Sequence, residues 1–175
     1  MEEVFSAGKF FKVFLKYTKV NGKKHRFYAI EIRDVALVAP VTPDGELIME
    51  RHFRPVLNKT IYEFPAGYIE EGENSLQSAK RELEEETGYK AGRIRRLFKS
   101  YVSPGRSRQM VHFFLADRLG VGKLKPEDGE QIDGFVKVDL DKALKMIKNG
   151  EIRSMEATAC LLFLAQNRHV FPCLK

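Results

Sequence analysis

Residues 67–89 read GYIEEGENSLQSAKRELEEETGY, and seven of these 23 are glutamate. Four of the seven crowd into the stretch from Glu82 to Glu86. Like charges at i,i+4 on a helix cost roughly 0.2–0.5 kcal/mol per pair, so such a segment needs a reason to exist. At about 100° per residue, Glu82, Glu85 and Glu86 fall on one side of a helix, while Leu76, Ala79 and Leu83 form a stripe about 100° further round. The expected helix packs Leu76 and Leu83 into a core and aims three carboxylates into one space. Clustered oxygens are what hard divalent cations such as Mg²⁺ and Mn²⁺ bind, and a cation removes the repulsion. For an isolated run of glutamates a solvated acidic face is the ordinary explanation, and the surrounding residues decide between the two.

The helix has its own boundary signals. Asn74 is placed to cap it, with Gln77 at the reciprocal capping-box position, and Gly88 follows Thr87 where a left-handed residue ends a helix. Ahead of it, residues 10–20 (FFKVFLKYTKV) and HRFYAIEI flank Asn21-Gly22, a hairpin signal. VALVAPV (35–41) reads as a buried strand, Pro43-Asp44-Gly45 as a turn, ELIMER as a strand, and residues 57–59 as a turn before IYEFPAG. Behind it, residues 93–102 and 109–119 read as strands flanking a loop from Ser103 to Arg108. Residues 120–134 read as a polar loop, FVKVDL as a strand, and residues 141–149 as a helix ended by Gly150. Ser154 caps a last helix, MEATACLLFLAQN. This order predicts an α+β fold, a mixed sheet with helices packed on it, preceded by an N-terminal antiparallel hairpin over residues 1–34.

The chain has 175 residues, 43% hydrophobic and 31% charged, enough for one domain with a real core. No stretch approaches the ~18 apolar residues of a membrane span. MEEVFSAGKF carries acids where a signal peptide is basic, so a cytoplasmic protein with no membrane partner is expected. Net charge is +6, with basic residues scattered in short groups such as Lys23-Lys24-His25-Arg26. That favours a small anionic substrate over specific nucleic-acid binding. Cys160 and Cys173 lack metal-like spacing and read as thiols, not a disulfide framework. His52, His112 and His169 show no pairing pattern, and Ser103 no Ser–His–acid context.

Gly67, five residues, Glu73, seven residues, then Arg81-Glu82-Leu83-x-Glu85-Glu86-x-Gly88-Tyr89: this pattern resembles the Nudix box, whose fixed positions all match. Tyr89 is aromatic where an aliphatic residue is commoner. The resemblance implies a Nudix fold on residues 35–175, with the mixed β-sheet sandwiched between helices and the box as a loop–helix–loop. It implies hydrolysis of a nucleoside diphosphate linked to another group. Carried over position by position, Glu82, Glu85 and Glu86 are metal ligands and the Ala66 carbonyl a further one. Glu73 and Arg81 are the ion pair that orients them. Mg²⁺ is the implied cofactor, with Mn²⁺ as the alternative.

The flanking residues resemble the ADP-ribose pyrophosphatase subfamily. Phe53-Arg54-Pro55 and Glu63-Phe64-Pro65-Ala66-Gly67 match its pattern ahead of the box, and Pro104 stands 16 residues beyond Gly88, an offset typical of that group. Arg106 and Arg108 depart from the acid often found after the S-P-G, and leave the sugar open. The resemblance implies that Arg54 pairs with a substrate phosphate and that Pro104, Gly105 and Arg106 lie along the substrate. Glu63 either hydrogen-bonds substrate or supports the box. Phe27 and Tyr28 either stack on adenine from a partner subunit, in a homodimer with exchanged N-terminal strands, or pack the sheet. The general base is expected in KPEDGEQIDGF: Glu130 first, then Asp133, Glu127 and Asp128. The implied reaction converts ADP-ribose to AMP and ribose 5-phosphate. The competing readings are another sugar nucleotide such as GDP-mannose, a nucleotide-sensing module without activity, and an RNA-decapping or dinucleoside polyphosphate hydrolase.

Overall fold

The computed structural model describes residues 1–174. The Asn21-Gly22 hairpin forms as its sequence dictates: both residues take positive φ, 52° and 77°, which suits a two-residue turn. Strands β2 (Lys12–Val20) and β3 (Lys23–Glu31) pair antiparallel without a register break. A third strand, β1 (Glu2–Ser6), adds to the β2 edge. The sequence carries no strand signal there, because five residues with a register shift between Glu3 and Phe5 show no clean alternation. This N-terminal sheet leaves Phe5, Phe10, Tyr17, Phe27 and Tyr28 exposed.

The rest of the fold is built around β4 (Val35–Pro40), an almost wholly buried strand whose apolar run fits burial on both faces. It pairs antiparallel with β7 (Ala66–Tyr68) and parallel with β9 (Met110–Val121), and β9 pairs antiparallel with β8 (Tyr89–Tyr101). The result is a mixed four-stranded sheet of order β7-β4-β9-β8. A second, antiparallel sheet of order β10-β5-β6 joins β5 (Leu47–Arg54), β6 (Lys59–Glu63) and β10 (Gln131–Val138). Strand alternation divides the core. Ala36 and Val38 of β4 pack with Ala79 and Leu83 of helix α1 (Ser75–Thr87), where small side chains let the helix lie close. Leu37 and Ala39 face the larger core shared with β5, Phe64 and helices α2 (Leu140–Lys148) and α3 (Met155–Gln166). The mixed sheet therefore lies between helices, the layering expected from the sequence. No helix among the described residues is long and apolar enough to cross a membrane.

Two local expectations are corrected. Leu76 is not a core residue: it is 36% exposed, and Ser75, Ser78 and Ala79 take the inner positions of the first turns. Ala79 and Leu83, and not Leu76, pack with Ala36 and Ala116 in the seam. The loop expected over residues 120–134 is shorter, spanning residues 122–130, because β9 runs to Val121 and β10 starts at Gln131. Gly134, with φ at 135°, sits within β10 at the register shift between Ile132 and Phe135, so it serves a bulge and not a loop.

Candidate active site

Helix α1 begins and ends as its sequence requires. The Asn74 side chain accepts hydrogen bonds from Leu76 N and Gln77 N, both at 3.0 Å, and Gln77 Oε1 accepts from Asn74 N at 2.9 Å. Gly88 closes the helix with φ at 72°. These caps fix the rotation of the helix, and with it the carboxylates. Glu82 and Glu86 point inward and are 5% and 1% exposed, while Glu85 lies in the half-buried margin. Gly67 of β7 faces Glu82 so closely that a Cβ there would stand 2.0 Å from Glu82 Oε1. Only a glycine admits this approach.

Arg81 holds the group together. Its Nε and Nη2 donate to the two oxygens of Glu73 at 3.0 and 3.1 Å, and Nη2 also donates to the Tyr68 carbonyl at 3.0 Å. Its Nη1 lies 2.7 Å from Glu82 Oε1 and 3.0 Å from Glu85 Oε2. One planar guanidinium thus spans three carboxylates, a task that the fork geometry of arginine suits. The hydrogen bonds from Arg81 hold the Glu73 carboxyl below the usual range. Glu82 goes the other way: burial pushes it up to about 7 despite the opposing pull of Arg81. Glu86 accepts from Ala66 N at 2.7 Å through Oε2, but its Oε1 is buried with no hydrogen-bond partner. Burial first, then the carboxylates of Glu50, Glu130 and Glu82, push Glu86 well above the ordinary carboxylate range. A buried oxygen without a partner, amid carboxylates that resist ionisation together, fits a divalent cation. Glu82, Glu85, Glu86 and the Ala66 backbone are the groups that would hold it.

Of these, Ala66 and Glu82, together with Gly67, line one side of a cavity of about 390 Å³. Arg54 and Glu63 also line it, joined by a bond of 2.7 Å from Arg54 Nε to Glu63 Oε2. Glu127 and Glu130 line it from the loop over residues 122–130. That loop is tied to the end of α1: Gly122 N donates to Gly88 O at 2.7 Å and Lys125 N to Glu85 O at 2.8 Å. Glu130 Oε2 accepts from Glu127 N at 2.9 Å. Asp128 is exposed and lies outside the lining. Asp133 also lies outside it, on β10, where its carboxylate accepts from Thr60 Oγ1 at 2.6 Å and from Gln131 Nε2 at 2.8 Å. Pro104, Gly105 and Arg106 are exposed on the loop between β8 and β9. That loop touches the N-terminal sheet, with Ile30 N donating to Arg106 O at 2.7 Å. Phe27 and Tyr28 stand on β3, away from the cavity of their own chain.

Several lining residues carry no local signal in the sequence. Arg33 packs its guanidinium over the Tyr68 ring at 4.8 Å and reaches Glu70 at 2.7 Å. Gln109 Nε2 donates to Arg33 O at 2.8 Å, and Ser154 and Glu156 bring the start of α3 to the same wall. Glu50 and His52 of β5 are also buried here, close to Glu86. They are brought to α1 by tertiary folding alone.

A cavity edged by arginines, with a carboxylate wall prepared for cations, is suited to holding a phosphate anhydride and delivering water to it. The fold and the box define a class: the NUDIX domain pattern matches residues 31–158, and the chain belongs to the Nudix family. It is 35% identical to the ADP-ribose pyrophosphatase of Bacillus subtilis over 165 residues, covering 93% of this chain and 89% of that protein. It is also 35% identical to the GDP-mannose pyrophosphatase of Escherichia coli K12 over 107 residues, covering 60% of this chain and 55% of that one. Among solved structures, one described as an ADP compounds hydrolase superposes with a TM-score of 0.80 at 19% identity, covering 95% of this chain and 94% of that chain. This last likeness bears on the fold.

Proposed function

We propose that the protein is a divalent-metal-dependent hydrolase of nucleoside diphosphate sugars, with ADP-ribose as its first substrate and AMP and ribose 5-phosphate as products. The observation that carries this reading is the unpartnered Glu86 Oε1, buried behind a cavity that Glu82 and Arg54 line. The similarity to the Bacillus enzyme over nearly the whole chain supports the substrate. A bound Mg²⁺ would supply neutralisation of phosphate charge and an acidified water. The residues of the chain supply the rest. Arg81 keeps Glu82 and Glu85 turned together, and the Ala66 N–H fixes the orientation of Glu86. Arg54 pairs with a phosphate oxygen, and Glu63 holds the guanidinium of Arg54 in place. Glu130, on a loop hinged at the end of α1, takes the proton from the attacking water as the P–O bond of the anhydride breaks.

In this reading the protein works in the cytoplasm as a homodimer. The exposed aromatic residues of the N-terminal sheet supply the contact, and Phe27 and Tyr28 reach the adenine site of the partner subunit. Incubation with ADP-ribose and Mg²⁺ should release AMP. No AMP from ADP-ribose together with turnover of GDP-mannose would reverse the order of substrates. Inertness toward both would leave the nucleotide-sensing reading.

A further inference from the structure

We propose that Glu50, His52 and Glu86 form a cation site of mixed nitrogen and oxygen donors, selective for a borderline ion such as Zn²⁺. It goes beyond the hydrolase reading, which needs only the carboxylates of the box and the Ala66 backbone. Two residues apart on β5, Glu50 and His52 share one face of the strand. That face meets α1 at its last inward carboxylate, Glu86. The three residues are 0%, 2% and 1% exposed, and one donor atom from each lies within 4.8 Å of the other two.

Proximity of acids alone would mean little. The decisive observation is that the protein leaves these atoms unsatisfied. Both oxygens of Glu50 and Oε1 of Glu86 are buried without a hydrogen-bond partner. His52 Nδ1 stands 3.5 Å from Glu50 Oε2, an ion-pair distance when the ring is protonated but longer than a good hydrogen bond, and among the described residues the imidazole is the one ion-pair partner that faces this carboxylate. Strand pairing worsens the position of Glu50, because its direct neighbour across β6 is Glu63, another acid. The nearby cations are committed elsewhere: Arg54 to Glu63, and Arg81 to Glu73, Glu82 and Glu85. What remains is a buried cluster of three carboxylate oxygens without hydrogen-bond partners and an imidazole.

The donor set decides the ion. Mg²⁺ prefers oxygens and keeps its waters, whereas an imidazole beside two carboxylates favours a first-row transition metal or Zn²⁺. Two donors bound to one such ion at ~2.1 Å each lie at most ~4.2 Å apart, so the set needs only a small inward movement to close. Glu86 takes part in both sites, with Oε2 held by the Ala66 N–H and Oε1 unpartnered.

The test is Zn²⁺ titration of the metal-free full chain, followed by NMR of its histidine rings. There are four histidines: His25, His52, His112 and His169. The proposal expects the His52 ring to shift at the first equivalent, ahead of the other three. By calorimetry, His52→Gln and Glu50→Gln should each weaken Zn²⁺ binding by about tenfold or more. A His52 ring unmoved after several equivalents would overturn the proposal, as would variants that bind Zn²⁺ like the parent chain. If the variants do not fold, the ring signal in the unaltered chain still decides. Turnover of ADP-ribose with Mg²⁺ is measured separately, so failure of the hydrolase reading leaves this result intact and the reverse also holds.

Discussion

Asp117 and Glu86 are both buried carboxylates that face arginine-bearing elements, yet the fold treats them in opposite ways. Asp117, 5% exposed on β9, sits directly across from Arg93 on β8. It accepts from Arg93 Nε at 2.8 Å and Nη2 at 2.7 Å, with Arg95 Nη2 at 3.3 Å. Those bonds, led by the ones from Arg93, hold its carboxyl below the ordinary range. Glu86 is more deeply buried and receives one backbone N–H. Its neighbours are acids, and its carboxyl is pushed up. The first centre is closed within the molecule and its charge serves stability. The second keeps a buried carboxylate oxygen without a partner among other acids. Arginine supply makes the difference: two arginines converge on Asp117, whereas Arg81 is divided among three glutamates and does not reach Glu86.

The contrast can be broken most directly at Glu86. Glu86→Gln should abolish detectable AMP release from ADP-ribose while leaving the metal-free melting temperature equal or higher, since a repelled carboxylate is gone. Near-normal turnover would refute its place among the ligands. Glu130→Gln should lower kcat by about 10²- to 10⁴-fold with KM little changed. If Asp133→Asn does this instead, the base lies on β10. Arg81→Lys should cost about 10- to 100-fold in turnover, because a lysine cannot span Glu73, Glu82 and Glu85 together. An effect below twofold would mean the carboxylates orient themselves. Asp117→Asn should leave turnover within about twofold but lower the melting temperature by a few degrees, the reverse of the Glu86 pattern. Equal melting temperatures would show that the closed centre is not a stability element.

The smallest effect sharpens the comparison through pH. Asp117, with its lowered pKa, contributes stability above the unfolded value of ~3.9 that is lost as pH falls through its folded value. Glu82, raised to about 7 by burial, contributes stability that is complete below the unfolded ~4.3 and is lost as pH rises through its folded value. Metal-free protein should therefore melt higher at pH 5 than at pH 8, and saturating Mg²⁺ should narrow the gap. Melting that rises from pH 5 to pH 8 without metal would contradict the strained reading of the cavity.

What was legible in the sequence was local. The caps at Asn74, Gln77 and Gly88, the Asn21-Gly22 turn and the spacing of the box act within a few residues, so they can be read in a line. The pairing of Arg81 with Glu73 came from the resemblance, and it forms across eight residues. Glu50 and His52 were not legible, because β5 and α1 meet only after the intervening strands have folded. Arg33, Gln109 and Glu156 reach one wall from three distant segments and share no motif. Leu76 misled because a hydrophobic stripe on a helical wheel says nothing of how tightly the facing sheet packs. Gly134 misled because glycine marks a bulge as readily as a loop.

The bond from Ile30 N to Arg106 O, with the parallel bridge of Ile30 to Ser107, staples the loop after β8 to the first sheet. A limited proteolytic cut near Glu31 would separate this staple from the strands that follow, and Pro104, Gly105 and Arg106 would lose the continuity of that tie with the rest of the fold. If Pro104, Gly105 and Arg106 lie along the substrate as proposed, clipping far from the glutamates should register as a higher KM for ADP-ribose, with the helix itself untouched.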